Sequence, residues 1–207
     1  MTDLGYRHLV LVIDRSGSME PVKHDTEGGI KAFIEDQRNV SGRTTVSLYQ
    51  FDTVHDEVRS FADVNEDLGY QLIPRGGTAL LDAVGFAVTK TGEYLAAMDE
   101  GKRPGEVVVL IATDGQENSS QEYSLPQVKE MITRQQDEYG WRFVFIGANQ
   151  DAFATSGAMG IPVASSANYA TAATMDSFEA VSSMVTRGAG GGSYSFTDDE
   201  RTRAAGN

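Results

Sequence analysis

The sequence contains no cysteine. Disulfides, thiolate metal sites and thiol catalysis are therefore excluded together, and the absence fits a reducing compartment. Basic residues are scarce as well: 17 Lys and Arg stand against 30 Asp and Glu, a formal net charge of −13. Binding to a phosphate backbone needs clustered Lys and Arg, so nucleic acid is not expected as a partner. No apolar run approaches the ~20 residues that cross a bilayer. Residues 1–8 lack the basic segment and apolar run of a secretory signal. The expectation is a cytoplasmic protein without membrane contact. The three histidines, His8, His24 and His55, have no zinc-like spacing and read as surface or packing residues. What is present is ordinary for a globular chain: 207 residues, 40% hydrophobic and 23% charged. That is enough for one domain with a buried core.

Two continuous apolar runs, Leu9–Ile13 and Val107–Ile111, predict central parallel strands covered on both faces. A third run, Trp141–Ile146, is similar although Arg142 interrupts it. Helical spacing follows Pro21 through Ile30, Phe33 and Ile34, and recurs from Ala79 to Met98 in Leu80, Leu81, Val84, Val88, Thr91 and Leu95. Pro126 opens a further helix that Ser124 is placed to cap, and Asp151 is placed to cap the next. Thr44–Phe61 alternates like a hairpin that adds one antiparallel edge strand. Ile161-Pro162-Val163 reads as a short last strand and Asp176–Thr186 as a closing helix. This alternation predicts an α/β fold: a doubly wound, mostly parallel sheet with helices on both faces. The domain is expected over residues 1–187. The Gly-rich stretch 188–207 reads as a flexible tail.

Ligands in doubly wound folds bind beyond the carboxyl ends of the strands. Asp14-Arg15-Ser16-Gly17-Ser18 follows the first buried run. Its carboxylate and two hydroxyls, at alternate positions, suit a hard cation such as Mg²⁺, Ca²⁺ or Mn²⁺, or else a turn in which the serines cap the next helix. Asp114 follows the second run at the same sheet edge. It is either a cap or a buried carboxylate in need of a cation. Thr78, after Arg75-Gly76-Gly77, precedes the strongest amphipathic helix and suits a cap, a ligand or both.

Together, Asp14-x-Ser16-x-Ser18, Thr78 and Asp114 resemble the metal-ion-dependent adhesion site of the von Willebrand factor A family, with no member of the set missing. The flanking text, Val12 to Met19 and Leu110 to Gly115, is similar too. The resemblance runs from about His8 to at least Gly147. It implies a metal-dependent protein-interaction module rather than an enzyme. Ser16 and Ser18 would be direct ligands of Mg²⁺ (or Mn²⁺ or Ca²⁺), and Thr78, Asp14 and Asp114 would bind directly or through water. A partner protein would offer Asp or Glu to the open position. The rim residues that would set specificity are Arg15, Met19, Glu20, Asp52 and Arg75, with Gln116, Glu117, Asn118, Asn149 and Gln150. Arg15 and Arg75 are placed to clamp the incoming carboxylate. Intracellular members of the family accompany ATPases and stress-response systems, and a stand-alone bacterial or phage protein is the expected setting. The alternative is a metal-assisted phosphohydrolase with Asp14 as nucleophile. It lacks a second Asp two residues on, since Ser16 stands there, and no lysine or late acid completes it. Nucleotide binding lacks both glycine-rich signatures.

Overall fold

A computed structural model describes residues 1–148 and 151–207. Six strands form one sheet: β1 (Asp3–Asp14), β2 (Arg43–Phe51), β3 (His55–Asp63), β4 (Pro104–Thr113), β5 (Arg142–Gly147) and β6 (Ser166–Asn168). Their spatial order is β3-β2-β1-β4-β5-β6. All neighbours pair in parallel except β3, which runs antiparallel to β2 at one edge. The helices are α1 (Lys23–Arg38), α2 (Leu80–Ala97), α3 (Leu125–Tyr139), α4 (Ala152–Ala158), α5 (Thr174–Ala189) and α6 (Asp198–Ala204). This is the doubly wound architecture expected from the apolar runs. Among the described residues no helix is long and apolar enough to cross a membrane.

The two sheet faces account for the unbroken apolar runs. Leu9, Leu11, Ile13, Leu110 and Ile146 point to the face covered by α1 and α5, where Phe33 and Phe178 pack. Val10, Val12, Val109, Ile111 and Phe145 point to the face covered by α2 and α3, against Val84, Val88 and Ile132. A strand buried on both sides cannot alternate with polar residues, because every second side chain still enters a core. The strand order reverses between β1 and β4, and in this topology that boundary opens a crevice at the carboxyl ends. Ile13 is in register with Ala112, so the residues that follow each face one another across the crevice.

Three local expectations differ from what is found. Ile161–Val163 is not a strand. Val163–Ser165 forms a 3-10 turn, and the edge strand is Ser166–Asn168, in register with Phe145–Gly147. Pro21 lies inside a 3-10 turn, Gly17–Val22, and the α-helix begins at Lys23. The stretch 188–207, expected to be flexible, folds back: Phe196 is buried, its N–H donates to the Ala164 carbonyl, and α6 packs Ala204 fully inside. The physical reason is an inward pair. Arg187 grips Glu200 through both guanidinium amines, at 2.7 and 3.0 Å, which fastens α6 to the end of α5.

Candidate metal centre

The crevice between β1 and β4 brings the five predicted residues together. The Ser16 N–H donates to Asp14 Oδ1 at 2.6 Å, so the chain turns back at once and carries Ser16 and Ser18 over the carboxylate. The two serine hydroxyls lie 3.1 Å apart, and Ser18 Oγ donates to Asp114 Oδ1 at 2.6 Å. Thr78 enters from the loop before α2. A Cβ built on Gly115 would lie 2.9 Å from Thr78 Oγ1, 3.4 Å from Ser18 Oγ and 3.8 Å from Ser16 Oγ. Gly115 thus stands where three hydroxyls converge, and a side chain there would press into the cluster. None of the hydroxyls caps a helix: Ser16 makes no side-chain cap bond and the α2 cap position is Ala79. The capping interpretation of this loop is therefore set aside. Asp151, by contrast, does cap, accepting from the N–H groups of Phe153 and Ala154.

Both carboxylates are charged groups held out of water. Asp14 is fully buried and Asp114 nearly so. Burial pushes Asp14 up to about 6, against the opposing pull of hydrogen bonds from Thr113 and Ser16. Burial also raises Asp114, while its bond from Ser18 acts the other way. Among the described residues no ion pair engages either acid. No group of three or more His, Cys, Asp or Glu among the described residues is arranged to hold a metal ion. The donor set is two carboxylates and three hydroxyls, all oxygen, which is the chemistry a hard divalent cation selects. A 2+ charge here would answer the desolvation of both acids at once.

Several residues that hold the cluster carry no strong sequence signal. Thr113, the last residue of β4, donates to Asp14 Oδ2 at 2.5 Å. Asn118 pairs with Thr78 in both directions: the Thr78 N–H donates to Asn118 Oδ1 at 2.9 Å, and the Asn118 N–H donates to the Thr78 carbonyl at 3.0 Å. Glu117 accepts from the N–H groups of Leu81, Ser119 and Ser120. The buried Asp82 accepts from those of Gln121, Glu122 and Tyr123. The loop after Asp114 is thereby laced to the start of α2, which fixes Thr78 relative to Asp114. Glu117 and Asn118, expected at the rim, serve this brace, Asn118 while still exposed.

Other rim assignments change as well. Met19 is buried against Val22 and Leu72. Arg15 is also buried: its Nε donates to Asp52 Oδ2 at 2.7 Å and its Nη2 to Asp56 Oδ2 at 2.6 Å. It is spent on the buried Asp52 and the half-exposed Asp56 and is not free to clamp a partner. Burial pushes Asp52 up, but bonds from Arg75, the Val54 N–H and Arg15 outweigh it and hold the acid below its ordinary range. Glu20, Arg75, Gln116 and Asn118 remain exposed. Asn149 and Gln150 lie outside the described residues.

A family model described as von Willebrand factor type A domain matches residues 8–187. No curated protein matches the chain. Among solved structures, proximal thread matrix protein 1 from the mussel byssus is similar at 16% identity and TM-score 0.65, over 90% of this chain and 46% of that one. A second structure of that protein, described as having a zinc-occupied MIDAS motif, aligns at 16% identity and TM-score 0.63, over 88% and 46%. A von Willebrand factor type A protein from Catenulispora acidiphila aligns at 13% and 0.63, over 87% and 42%. The chain thus spans less than half the length of these proteins. At such identities the likeness concerns the fold.

Proposed function

The chain belongs to the von Willebrand factor type A domain family, and from that premise we propose that it is a divalent-metal-dependent protein-interaction module. Asp14, Ser16, Ser18, Thr78 and Asp114 would hold Mg²⁺, or Mn²⁺ or Ca²⁺ in its place. A bound ion supplies a Lewis-acidic position for one oxygen ligand from outside, and that ligand is an Asp or Glu of a partner protein. The observation that carries the reading is the convergence, at the switch point of the sheet, of three hydroxyls and two buried carboxylates that have no ion-pair partner among the described residues.

The chain's own residues act by orientation. Thr113 and the Ser16 N–H fix the two Asp14 oxygens. Ser18 steers Asp114, and Asn118 sets the height of Thr78. These contacts favour binding over covalent chemistry, since an Asp14 with both oxygens engaged and no exposure is a poor nucleophile. The reading extends to a cytoplasmic setting, in a bacterium or phage, with a partner such as an ATPase or stress-response assembly. Nucleic acid does not suit a chain of charge −13.

The test is thermal unfolding after chelation, with Mg²⁺, Mn²⁺ or Ca²⁺ restored, for wild type and Asp114→Ala. A ligand that binds only the folded state raises its stability. The expected result is a metal-dependent rise in wild type that the variant loses. No rise with any ion would reduce the domain to a metal-free scaffold and end the reading.

A further inference from the structure

Segment 75–78 runs beside the loop after β1. The Arg75 N–H donates to the Arg15 carbonyl at 2.8 Å, and the Gly76 carbonyl accepts from the Gly17 N–H at 3.2 Å. Those two bonds place Arg75 at the rim, directly against the turn that carries Ser16 and Ser18. The two rim arginines differ in state. The Arg15 side chain is 6% exposed with its Nε and one amine committed, whereas the Arg75 side chain is 58% exposed and bonded only through Nε, to Asp52 Oδ2 at 2.8 Å. Asp52 tethers the Arg75 guanidinium by one edge and leaves its terminal amines without a partner among the described residues.

Asp52 also fixes an apolar neighbour. The Val54 N–H donates to Asp52 Oδ1 at 2.9 Å and the Val54 carbonyl accepts from the Asp52 N–H at 2.8 Å. Val54 thus flanks the same carboxylate as Arg75, with its side chain in solvent. Ile73, two residues before Arg75, is more exposed still. Both aliphatic side chains are therefore open to contact from outside.

Charge balance points to what this surface takes. Arg15, Arg75, Asp52 and Asp56 form a neutral set of four, and Asp14 with Asp114 would neutralise a 2+ ion. An incoming carboxylate therefore brings an uncompensated negative charge, and Arg75 is the member of the set with exposed donors to meet it. We infer that Arg75, Val54 and Ile73 form a second docking element, selective for a partner segment in which an acidic residue stands beside an aliphatic one. This rests on the metal-dependent reading above and names the partner chemistry of that same site. The acid serves the metal centre and Arg75, and the aliphatic neighbour covers Val54 and Ile73.

The experiment is peptide display. A random 12-residue library is panned on the intact chain in Mg²⁺ and eluted with chelator. Recovered peptides are then titrated by fluorescence anisotropy at saturating Mg²⁺ against wild type, Arg75→Gln, Arg75→Glu, the Val54→Ser/Ile73→Ser double variant and Asp114→Ala, each checked by circular dichroism. The expected peptides carry Asp or Glu within two residues of Val, Leu or Ile. Arg75→Gln weakens them about tenfold or more, Arg75→Glu weakens them further, and the aliphatic double variant weakens them about five- to tenfold. Asp114→Ala abolishes binding. Chelator-eluted peptides without an aliphatic neighbour, or bound equally by Arg75→Gln, would overturn this inference while leaving metal-dependent docking intact. Peptides held equally well in chelator would sink the docking reading itself. An absence of any chelator-eluted sequence would overturn both.

Discussion

Thr113 donates its hydroxyl to Asp14 across the β1–β4 boundary, at 2.5 Å, and thereby joins the ends of the two central strands beneath the candidate metal centre. The bond opposes the burial that drives Asp14 towards its protonated form. Partners that orient a ligand without touching the ion typically contribute 10–100-fold in affinity. Thr113→Val keeps the shape and removes the donor. The expected outcome is Mn²⁺ affinity at pH 7 lowered by about tenfold or more, with the pH midpoint of binding moved upward. Isothermal titration across pH reads both, and an unchanged midpoint would remove Thr113 from the site.

The pH dependence of the metal-free protein follows from Asp14. Its carboxyl is raised from 3.8 to about 6 when folded, so the folded state binds the proton more tightly than the unfolded one. The associated stability is fully present below the unfolded value and is lost as pH rises through about 6. At roughly 1.4 kcal/mol per unit, the loss reaches about 3 kcal/mol by neutral pH. Asp14→Asn carries no such penalty. Without metal, the variant should exceed wild type by up to about 3 kcal/mol at pH 7.5, with the gap closing below pH 5. Urea denaturation in chelator at the two pH values measures this. With Mg²⁺ the order should invert, because wild type alone gains. A gap independent of pH would show that Asp14 titrates normally.

Gly115 offers a steric test of where the hydroxyls converge. In Gly115→Ala the added methyl would meet Thr78 Oγ1 at 2.9 Å, closer than side chains normally approach. Either Thr78 or the loop after Asp114 must shift by several tenths of an ångström. That loop and the Thr78 backbone brace each other, so the Thr78 side chain should rotate away from the methyl. The expected result is a modest loss of stability, about 1–3 kcal/mol, together with loss of most of the metal-induced rise in melting temperature. Wild-type metal response in this variant would place Thr78 outside the centre.

How much of this was legible in the sequence depended on how local each signal was. Asp14, Ser16 and Ser18 lie within five residues behind an apolar run, and Asp114 follows a second run, so strand, sheet edge and donors could be read together. Thr113 could not be singled out, because its partner is set by the register of β1 against β4. The Arg15–Asp52–Arg75 network joins three loops, and nothing within any one of them shows that Arg15 turns inward. The edge strand Ser166–Asn168 has no β-branched or large apolar residue, whereas Ile161 and Val163 do. Propensity therefore favoured the wrong segment, and pairing with β5 decided the outcome. Glycine at 190–192 suggested flexibility, yet Thr197-x-x-Glu200 is a capping box in plain sight.

That capping box carries the last prediction. Glu200 is 4% exposed and does two things at once. Its carboxylate takes both terminal amines of Arg187, and its Oε2 also accepts from the Thr197 N–H at 2.8 Å. Arg187 in turn donates to the Ser195 carbonyl at 2.7 Å, so one guanidinium ties α5, the returning chain and α6 together. Glu200→Ala would leave Arg187 half-buried without its acid and the Thr197 N–H without its acceptor, while the Thr197 hydroxyl still caps α6 through the residue-200 N–H. The expected cost is about 2–4 kcal/mol at pH 7. Glu200→Gln, which retains an oxygen for the cap but loses the ion pair, should cost less. Burial pushes Glu200 up, but bonds from Arg187 and Thr197 prevail and hold it below its ordinary range. A depressed carboxyl contributes stability above its unfolded value that is lost on acidification. The difference between wild type and Glu200→Gln should therefore shrink as pH falls below about 4. Urea denaturation of the three proteins at pH 7 and pH 3.5 decides the matter. If Glu200→Ala unfolds within about 0.5 kcal/mol of wild type, the C-terminal segment adds nothing to the fold, and α6 would have to be regarded as an appendage.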